Sequence, residues 1–209
     1  MASFTRRSAL VGGLAAAAAA PTGAGADIPT DLRQHPGYRA WTAPSGATRL
    51  PLQARVQTST GEMSLSELIG RRPAVVALWA TWCAPCLLEK PPQASLSRRL
   101  ARAGAATRVF ALQAFDDFDV SFDDGCWMLN EMGAGGLPAA RATPAAETAF
   151  RDVFGTSRDP RVRAVLPAVL LIGGDGLELG RSVGMMRGAE GRGDYWREET
   201  TFDFLSRLM

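Results

Sequence analysis

The chain alternates between short apolar runs and polar, Gly- or Pro-rich breaks. Leu52, Ala54 and Val56 alternate with Gln53, Arg55 and Gln57, the two-residue period of a short outer strand. Ser64-Leu65-Ser66-Glu67 fits the S-x-x-E capping box and predicts a brief helix to about Ile69, stopped by Gly70. After Pro73 the pattern changes, because Ala74-Val75-Val76-Ala77-Leu78-Trp79-Ala80 has no alternation at all. A strand apolar on both faces needs cover above and below, which places it in an α/β sheet with helices on both sides.

A helical stretch follows to about Ala103, interrupted by Pro91-Pro92, and Arg108–Gln113 reads as the next buried strand. Residues 123–132 and 145–154 read as two helices, with a Gly/Pro-rich turn at 133–138 between them. Residues 165–172 and 177–183 flank Gly173-Gly174-Asp175-Gly176 and predict a hairpin whose second strand is the more exposed. Residues 195–208 close the chain as an amphipathic helix with Phe202, Leu205 and Leu208 on one stripe. Residues 27–50 hold Pro29, Pro36, Pro44, Gly37 and Gly46 without periodicity and read as an extended lead-in.

Residues 1–26 follow a different logic. Arg6-Arg7 precede a run of Ala, Gly, Leu and Val from Ala9 to Ala20, and the segment ends Ala24-Gly25-Ala26 before the first acidic residue, Asp27. That is the layout of a secretory signal peptide cut after Ala26. Thr5-Arg6-Arg7-Ser8-Ala9-Leu10 also resembles the twin-arginine export motif; an ordinary signal with two arginines is the other reading. The run is too short and too weakly apolar for a membrane span, which wants about 20 apolar residues. The mature protein is therefore expected outside the cytoplasm and not membrane-spanning, with an uncleaved N-terminal anchor as the alternative.

Composition narrows the function classes. The 209 residues are 46% hydrophobic and 21% charged, enough for one domain with a proper core. The formal charge of +2 falls to neutral once Arg6 and Arg7 leave with the signal, so no nucleic-acid or anionic-membrane partner is indicated. Three cysteines are too few for a disulfide scaffold, yet two stand three positions apart.

That pair is Cys83-Ala84-Pro85-Cys86, placed between the buried strand and the following helix. The position puts Cys83 at a helix N-terminus, where free N–H groups and the positive dipole end favour a thiolate. Cys86 lies one turn deeper, within reach of a mixed disulfide formed on Cys83. Pro85 stiffens the link, and so early in a helix its missing N–H costs little. Exchange chemistry of this type needs an accessible first sulfur and a shielded second one. Two structural readings compete. A zinc site needs two more ligands, and only Cys126 and His35 remain, without a second C-x-x-C or C-x-x-H. A plain structural disulfide is the stronger rival, opposed by the placement after an apolar strand with Trp79 and Trp82 crowding the approach.

Trp79-Ala80-Thr81-Trp82-Cys83-Ala84-Pro85-Cys86 closely resembles the active-site segment of the thioredoxin superfamily. Within it the chain resembles the exported TlpA/ResA-type branch, whose pattern W-A-x-W-C-x-P-C-x-x-E-x-P is completed by Glu89 and Pro91. Leu166-Pro167, leading into an apolar strand and a Gly-Asp-Gly hairpin, resembles that family's closing segment. The likeness spans about residues 52–208. It implies an α/β, thioredoxin-like three-layer sandwich over residues 51–209, with a central mixed sheet and helices on both faces. It also implies Cys83 as nucleophile, Cys86 as resolving thiol in a redox-active disulfide, and Pro167 as a cis proline facing them. Trp82, Ala84, Pro85 and Leu166 would frame the surface that receives the partner. The competing reading of Pro167 is an ordinary trans turn proline before a strand.

Glu89 would handle the proton of Cys86; its plain reading is a surface helix glutamate beside Lys90. Cytoplasmic thioredoxins keep a buried aspartate at the position of Ala77, and its absence here strengthens the case for Glu89. Pro91 is expected to kink the helix and Pro92 to extend the disturbance. The implied function is a periplasmic thiol–disulfide oxidoreductase with no organic cofactor and no metal. It would reduce exported proteins, as in cytochrome c or copper-oxidase maturation, and be recharged by a membrane electron donor. A non-catalytic interaction module with a structural disulfide is the alternative. A Sco-like copper carrier would need C-x-x-x-C and a distal histidine, whereas this chain has C-x-x-C and only His35.

Other residues carry weaker signals. Cys126, in a helical stretch, reads as a small buried hydrophobe rather than a regulatory thiol. Asp116, Asp117, Asp119, Asp123 and Asp124, interleaved with Phe115, Phe118 and Phe122, read as a solvated loop without calcium-loop spacing. His35 reads as a surface loop residue. Gly173-Gly174-Asp175-Gly176 is followed by no Lys, Ser or Thr and no helix, which rejects a phosphate loop.

Overall fold

A computed structural model of the chain describes residues 28–44, 50–117, 119–157, 164–189, 191 and 194–209. The segment 1–26, expected from the sequence to be an export signal, lies outside these residues. Among the described residues no helix is long and apolar enough to cross a membrane.

Seven strands form one mixed sheet. In chain order they are β1 Arg55–Thr58, β2 Gly61–Ser64, β3 Ala74–Trp79, β4 Arg108–Gln113, β5 Ala139–Ala142, β6 Ala168–Ile172 and β7 Glu178–Val183. Their order across the sheet is β2-β1-β5-β4-β3-β6-β7. β3 pairs in parallel with β4 and antiparallel with β6, so it is an interior strand with neighbours on both edges. Its side chains split between two cores. Val75, Ala77 and Trp79 pack on one face, and Ala74, Val76 and Leu78 on the other. That double burial is why the run lacks alternation.

Among the described residues six helices cover the sheet: α1 Thr30–Gln34, α2 Leu65–Ile69, α3 Ala84–Arg102, α4 Phe122–Glu131, α5 Pro144–Val153 and α6 Glu199–Ser206. Residues of α3, α6 and the 3-10 turn Tyr195–Arg197 pack on the first face; those of α2 and α5 pack on the second. The expected three-layer architecture is present. The capping box at Ser64 forms as the sequence indicates, with the Ser64 side chain accepting from Glu67 N–H and the Glu67 carboxylate from Ser64 N–H.

Several local expectations are corrected. The first strand begins at Arg55, because Leu52 and Ala54 lie in a turn whose carbonyls accept from Ser66 and Leu65 N–H. The helix after the cysteines is unbroken through Pro91 and Pro92. The carbonyls that those prolines leave without an intrahelical donor belong to Leu87 and Leu88, which are half-buried and exposed, where solvent can serve them. The closing helix is divided: a 3-10 turn at Tyr195–Arg197 precedes α6.

The lead-in is folded rather than extended. Residues 30–34 form α1, Pro36–Tyr38 a 3-10 turn, and Ile28, Leu32, Tyr38 and Trp41 enter the first core. Tyr38 donates to Leu179 O at 2.8 Å, the Trp41 indole donates to Tyr195 Oη at 2.6 Å, and Tyr195 Oη donates to Gly37 O at 2.7 Å. Thr42 and Arg181 exchange two backbone hydrogen bonds, so the lead-in caps part of the β7 edge. His35 is accordingly not a free surface residue. Its Nδ1 accepts from Gly37 N–H at 3.1 Å, its Nε2 lies 3.0 Å from Asp203, and its ring stacks on Phe204.

Candidate active site

β3 ends at Trp79 and the chain turns once before α3 begins at Ala84, with Cys83 as the N-cap. The Cys83 sulfur accepts from Cys86 N–H at 3.3 Å, which serves one of the unpaired donors of the first helical turn. Cys83 and Cys86 are joined as a disulfide across a Cα–Cα distance of 5.3 Å. Pro85 occupies the first turn, where its missing N–H interrupts nothing.

The turn before the disulfide is held from the β4–α4 loop. Asp116 accepts from Thr81 N–H and from the Thr81 hydroxyl, both at 2.7 Å, and from Gln113 Nε2 at 2.8 Å. The Trp82 indole donates to Phe115 O at 2.9 Å. Phe115 is the described non-glycine residue with positive φ, 65°, a conformation held by Glu147 accepting its N–H and by Arg151 over its ring. Asp116 is therefore a structural acceptor for the cysteine turn, which corrects its reading as part of a solvated loop. No motif marks it; its only sequence signal is an aspartate directly after an apolar strand.

On the opposite side lies the Leu166-Pro167 turn. The Leu166–Pro167 peptide is cis, Pro167 is buried and Leu166 half-buried. Pro85, Leu166, Pro167, Val183, Gly184, Met185 and Arg187 line a groove of about 350 Å³. Gly184, at φ 87°, donates to Pro167 O at 2.7 Å and bends the chain away after β7. Ala84 and Pro85, between the two cysteines in the chain, are exposed, and Trp82, just before them, is half-buried. The expectation of an accessible first cysteine is not met in the disulfide form, because both residues are buried, Cys83 at 3% exposure and Cys86 at 0%.

Beneath the disulfide the inner face of α3 is polar. Glu89 is buried, not a surface glutamate, and its Oε1 accepts from Met186 N–H at 2.9 Å. Burial pushes its proton affinity up; the Met186 N–H, the nearby Trp196 indole and the Lys90 charge oppose that push. Lys90 is buried as completely, with Nζ donating to Gln93 Oε1 at 2.9 Å and lying 6.0 Å from the Trp79 ring centre. Burial brings its pKa down to about 7, against the Glu89 charge. Among the described residues Glu89 Oε2, Gln93 Nε2 and the indole N–H groups of Trp79 and Trp196 are buried without a hydrogen-bond partner. Lys90 and Trp196 were not singled out by motif. The available signal was spacing, since Cys86, Glu89, Lys90 and Gln93 share one helical face.

Cys126 lies apart, half-buried on α4 beside Phe122 and Leu129, with burial raising its thiol pKa. Among the described residues no cluster of three or more His, Cys, Asp or Glu side chains is gathered that could hold a metal ion.

No protein-family model and no curated protein matches the chain. Solved structures do. A thiol:disulfide interchange protein of the thioredoxin family from Chlorobium tepidum aligns over 77% of this chain and 99% of its own, at TM-score 0.52 and 20% identity. The thioredoxin domain of a thiol-disulfide oxidoreductase from Bacteroides vulgatus aligns over 78% and 99%, at TM-score 0.52 and 15% identity. A thiol:disulfide interchange protein from a Bacteroides species aligns over 73% and 85%, at TM-score 0.50 and 14% identity. Together with the mixed sheet and helical layers described above, these likenesses show that the chain has the thioredoxin-like fold.

Proposed function

We propose that the protein is an extracytoplasmic thiol–disulfide oxidoreductase that reduces disulfides of exported proteins through Cys83 and Cys86. The single observation that carries this reading is the pairing of the two sulfurs at the start of α3, with Cys83 as N-cap accepting the Cys86 N–H. The same N–H groups and helix dipole favour a Cys83 thiolate once the disulfide is reduced. Support of a coarser kind comes from the structural neighbours, which are described as thiol–disulfide interchange proteins.

In the reduced protein the Cys83 thiolate attacks one sulfur of a partner disulfide and the other partner sulfur leaves with the electron pair. Cys86, its proton taken by Glu89, then attacks Cys83 Sγ. The Cys83–Cys86 bond forms, the Cys83–partner bond breaks, and the partner has gained two electrons. A membrane dithiol donor would restore the protein by the reverse exchange. The groove along Pro85, Leu166, Pro167 and Arg187 is the place for the partner backbone, since Leu166 lies outside the sheet ladders. Maturation of cytochrome c or of a copper oxidase is the role suggested by the TlpA/ResA resemblance.

One observation favours a second reading. Cys83 is only 3% exposed, as a disulfide serving purely as a staple in an interaction module would be. Insulin reduction by the mature protein separates the two. Catalysis that survives Cys126→Ser and is lost in Cys83→Ser supports the oxidoreductase; no activity in the unaltered protein supports the module.

A further inference from the structure

Lys90 is chemically out of place. It lies on the inner face of α3, 1% exposed, one turn beyond Cys86 and next to Glu89. A methionine would fill the same space without placing an amine in the core, where an uncompensated charge is expensive. The amine has one hydrogen bond, to Gln93 Oε1, and the face of Trp79 beside it. Neither neutralises an ammonium. The groups able to do so are the carboxylate of Glu89, whose charge raises the proton affinity of Lys90, and, once the disulfide is reduced, the sulfur of Cys86, one turn back at i−4 on the same helix.

We infer that Lys90 is the fixed counter-charge for proton transfer between Cys86 and Glu89, and thereby a positioning residue for the resolving step. This rests on the dithiol reading above. Before transfer the buried group holds a Cys86 thiol, a Glu89 carboxylate and a Lys90 ammonium, with net charge zero. The proton passes from Cys86 Sγ to a Glu89 carboxylate oxygen, leaving a thiolate, a carboxylic acid and the same ammonium, again with net charge zero. Without Lys90 both states carry an unbalanced negative charge in a low-dielectric interior, and the thiolate is disfavoured.

Among the described residues no other charge takes this place. On the elements packed against α3, Arg108 of β4 and Arg197 of the 3-10 turn are exposed. Glu199 of α6 pairs with Arg99, and Asp203 of α6 with His35 and Arg207. Tyr195 is buried, neutral and hydrogen-bonded to Trp41 and Gly37. In the segment after β7, Arg187 is exposed, and Glu198 accepts from Ala189 N–H and the Thr200 hydroxyl.

The test uses the Cys83→Ser/Cys126→Ser protein, in which Cys86 is the one remaining thiol, titrated by its thiolate absorbance. Adding Lys90→Met is expected to raise the Cys86 midpoint by about one pH unit or more. An unchanged midpoint in a folded variant overturns the inference. Should Lys90→Met fail to fold, the Lys90 ammonium is followed by NMR in the unsubstituted protein. Its midpoint is expected to be higher in the reduced than in the oxidised form, and equal midpoints overturn the inference. Neither readout requires turnover. Loss of insulin reduction would therefore sink the proposed function alone, and a flat thiol titration would sink this inference alone.

Discussion

The backbone N–H of Met186 donates to Glu89 Oε1 across 97 residues of sequence, joining the helix of the disulfide to the segment that follows β7. Met185 and Arg187, on either side of Met186, line the groove beside Pro85 and Pro167. The N–H that serves the Glu89 carboxylate and the wall of the groove beside Pro85 and Pro167 thus share one short stretch of chain.

The burial of Glu89 and Lys90 predicts a pH signature in stability. Glu89 is raised above 4.5, so the folded form holds its proton more tightly, and stability is lost as pH climbs past that value. Lys90 is lowered from 10.5 to about 7, so stability is present at high pH and lost as pH falls through about 7. The two losses overlap around neutrality. The gap in Tm between the oxidised protein and its Glu89→Gln/Lys90→Met variant should be widest there. It should narrow below about pH 4.5 and above about pH 10.5. A gap that does not change with pH contradicts the burial of the pair.

Arg181 on β7 makes two hydrogen bonds to the Glu178 carboxylate, each 2.5 Å, and another to Val153 O. Glu178 has 4% side-chain exposure, so removing the cation leaves a buried charge unpaired. Arg181→Met is expected to cost about 3–5 kcal/mol in urea unfolding. The Arg181→Met/Glu178→Met protein should recover much of that loss. Equal instability of the single and double variants would show that packing, not the lone carboxylate, sets the cost.

Tyr195 ties the lead-in to the C-terminal elements through one hydroxyl. Tyr195→Phe leaves the Trp41 indole N–H and Gly37 O unpaired in the core, which should cost about 1–3 kcal/mol by denaturant unfolding. An unaltered midpoint would mean that residues 28–44 do not depend on this link.

Asp116 holds the turn before Cys83 from outside the motif. Asp116→Ala should lower insulin reduction by about tenfold or more while the disulfide still forms, because the turn loses two of its anchors. Full activity in Asp116→Ala would show that the cysteine turn keeps its geometry without them.

Much of this molecule is legible without coordinates. The apolar run of β3, the capping box of α2 and the hairpin of β6 and β7 each carry a local cause strong enough to read directly. β5 does not: Ala139–Ala142 is Ala-Ala-Arg-Ala, of poor strand propensity, and becomes a strand because β4 and β1 pair with its two edges. The lead-in is hidden for a similar reason, since Tyr38 and Trp41 find their partners more than 130 residues away, at Leu179, Tyr195 and Phe204. At the site, the cysteine pair, Glu89 and Pro167 are visible as motif. Asp116, Lys90 and Met186 are not, because each acts through a contact that only the folded chain creates.

The central claim is that Cys83 receives the partner and Cys86 releases it, and mixed-disulfide trapping tests it most directly. The reduced Cys86→Ser protein, offered a disulfide-bonded peptide, should accumulate a covalent adduct at Cys83 that a thiol reductant reverses. The Cys83→Ser protein should accumulate none. Adducts absent from both, or formed on Cys86 alone, would contradict the account.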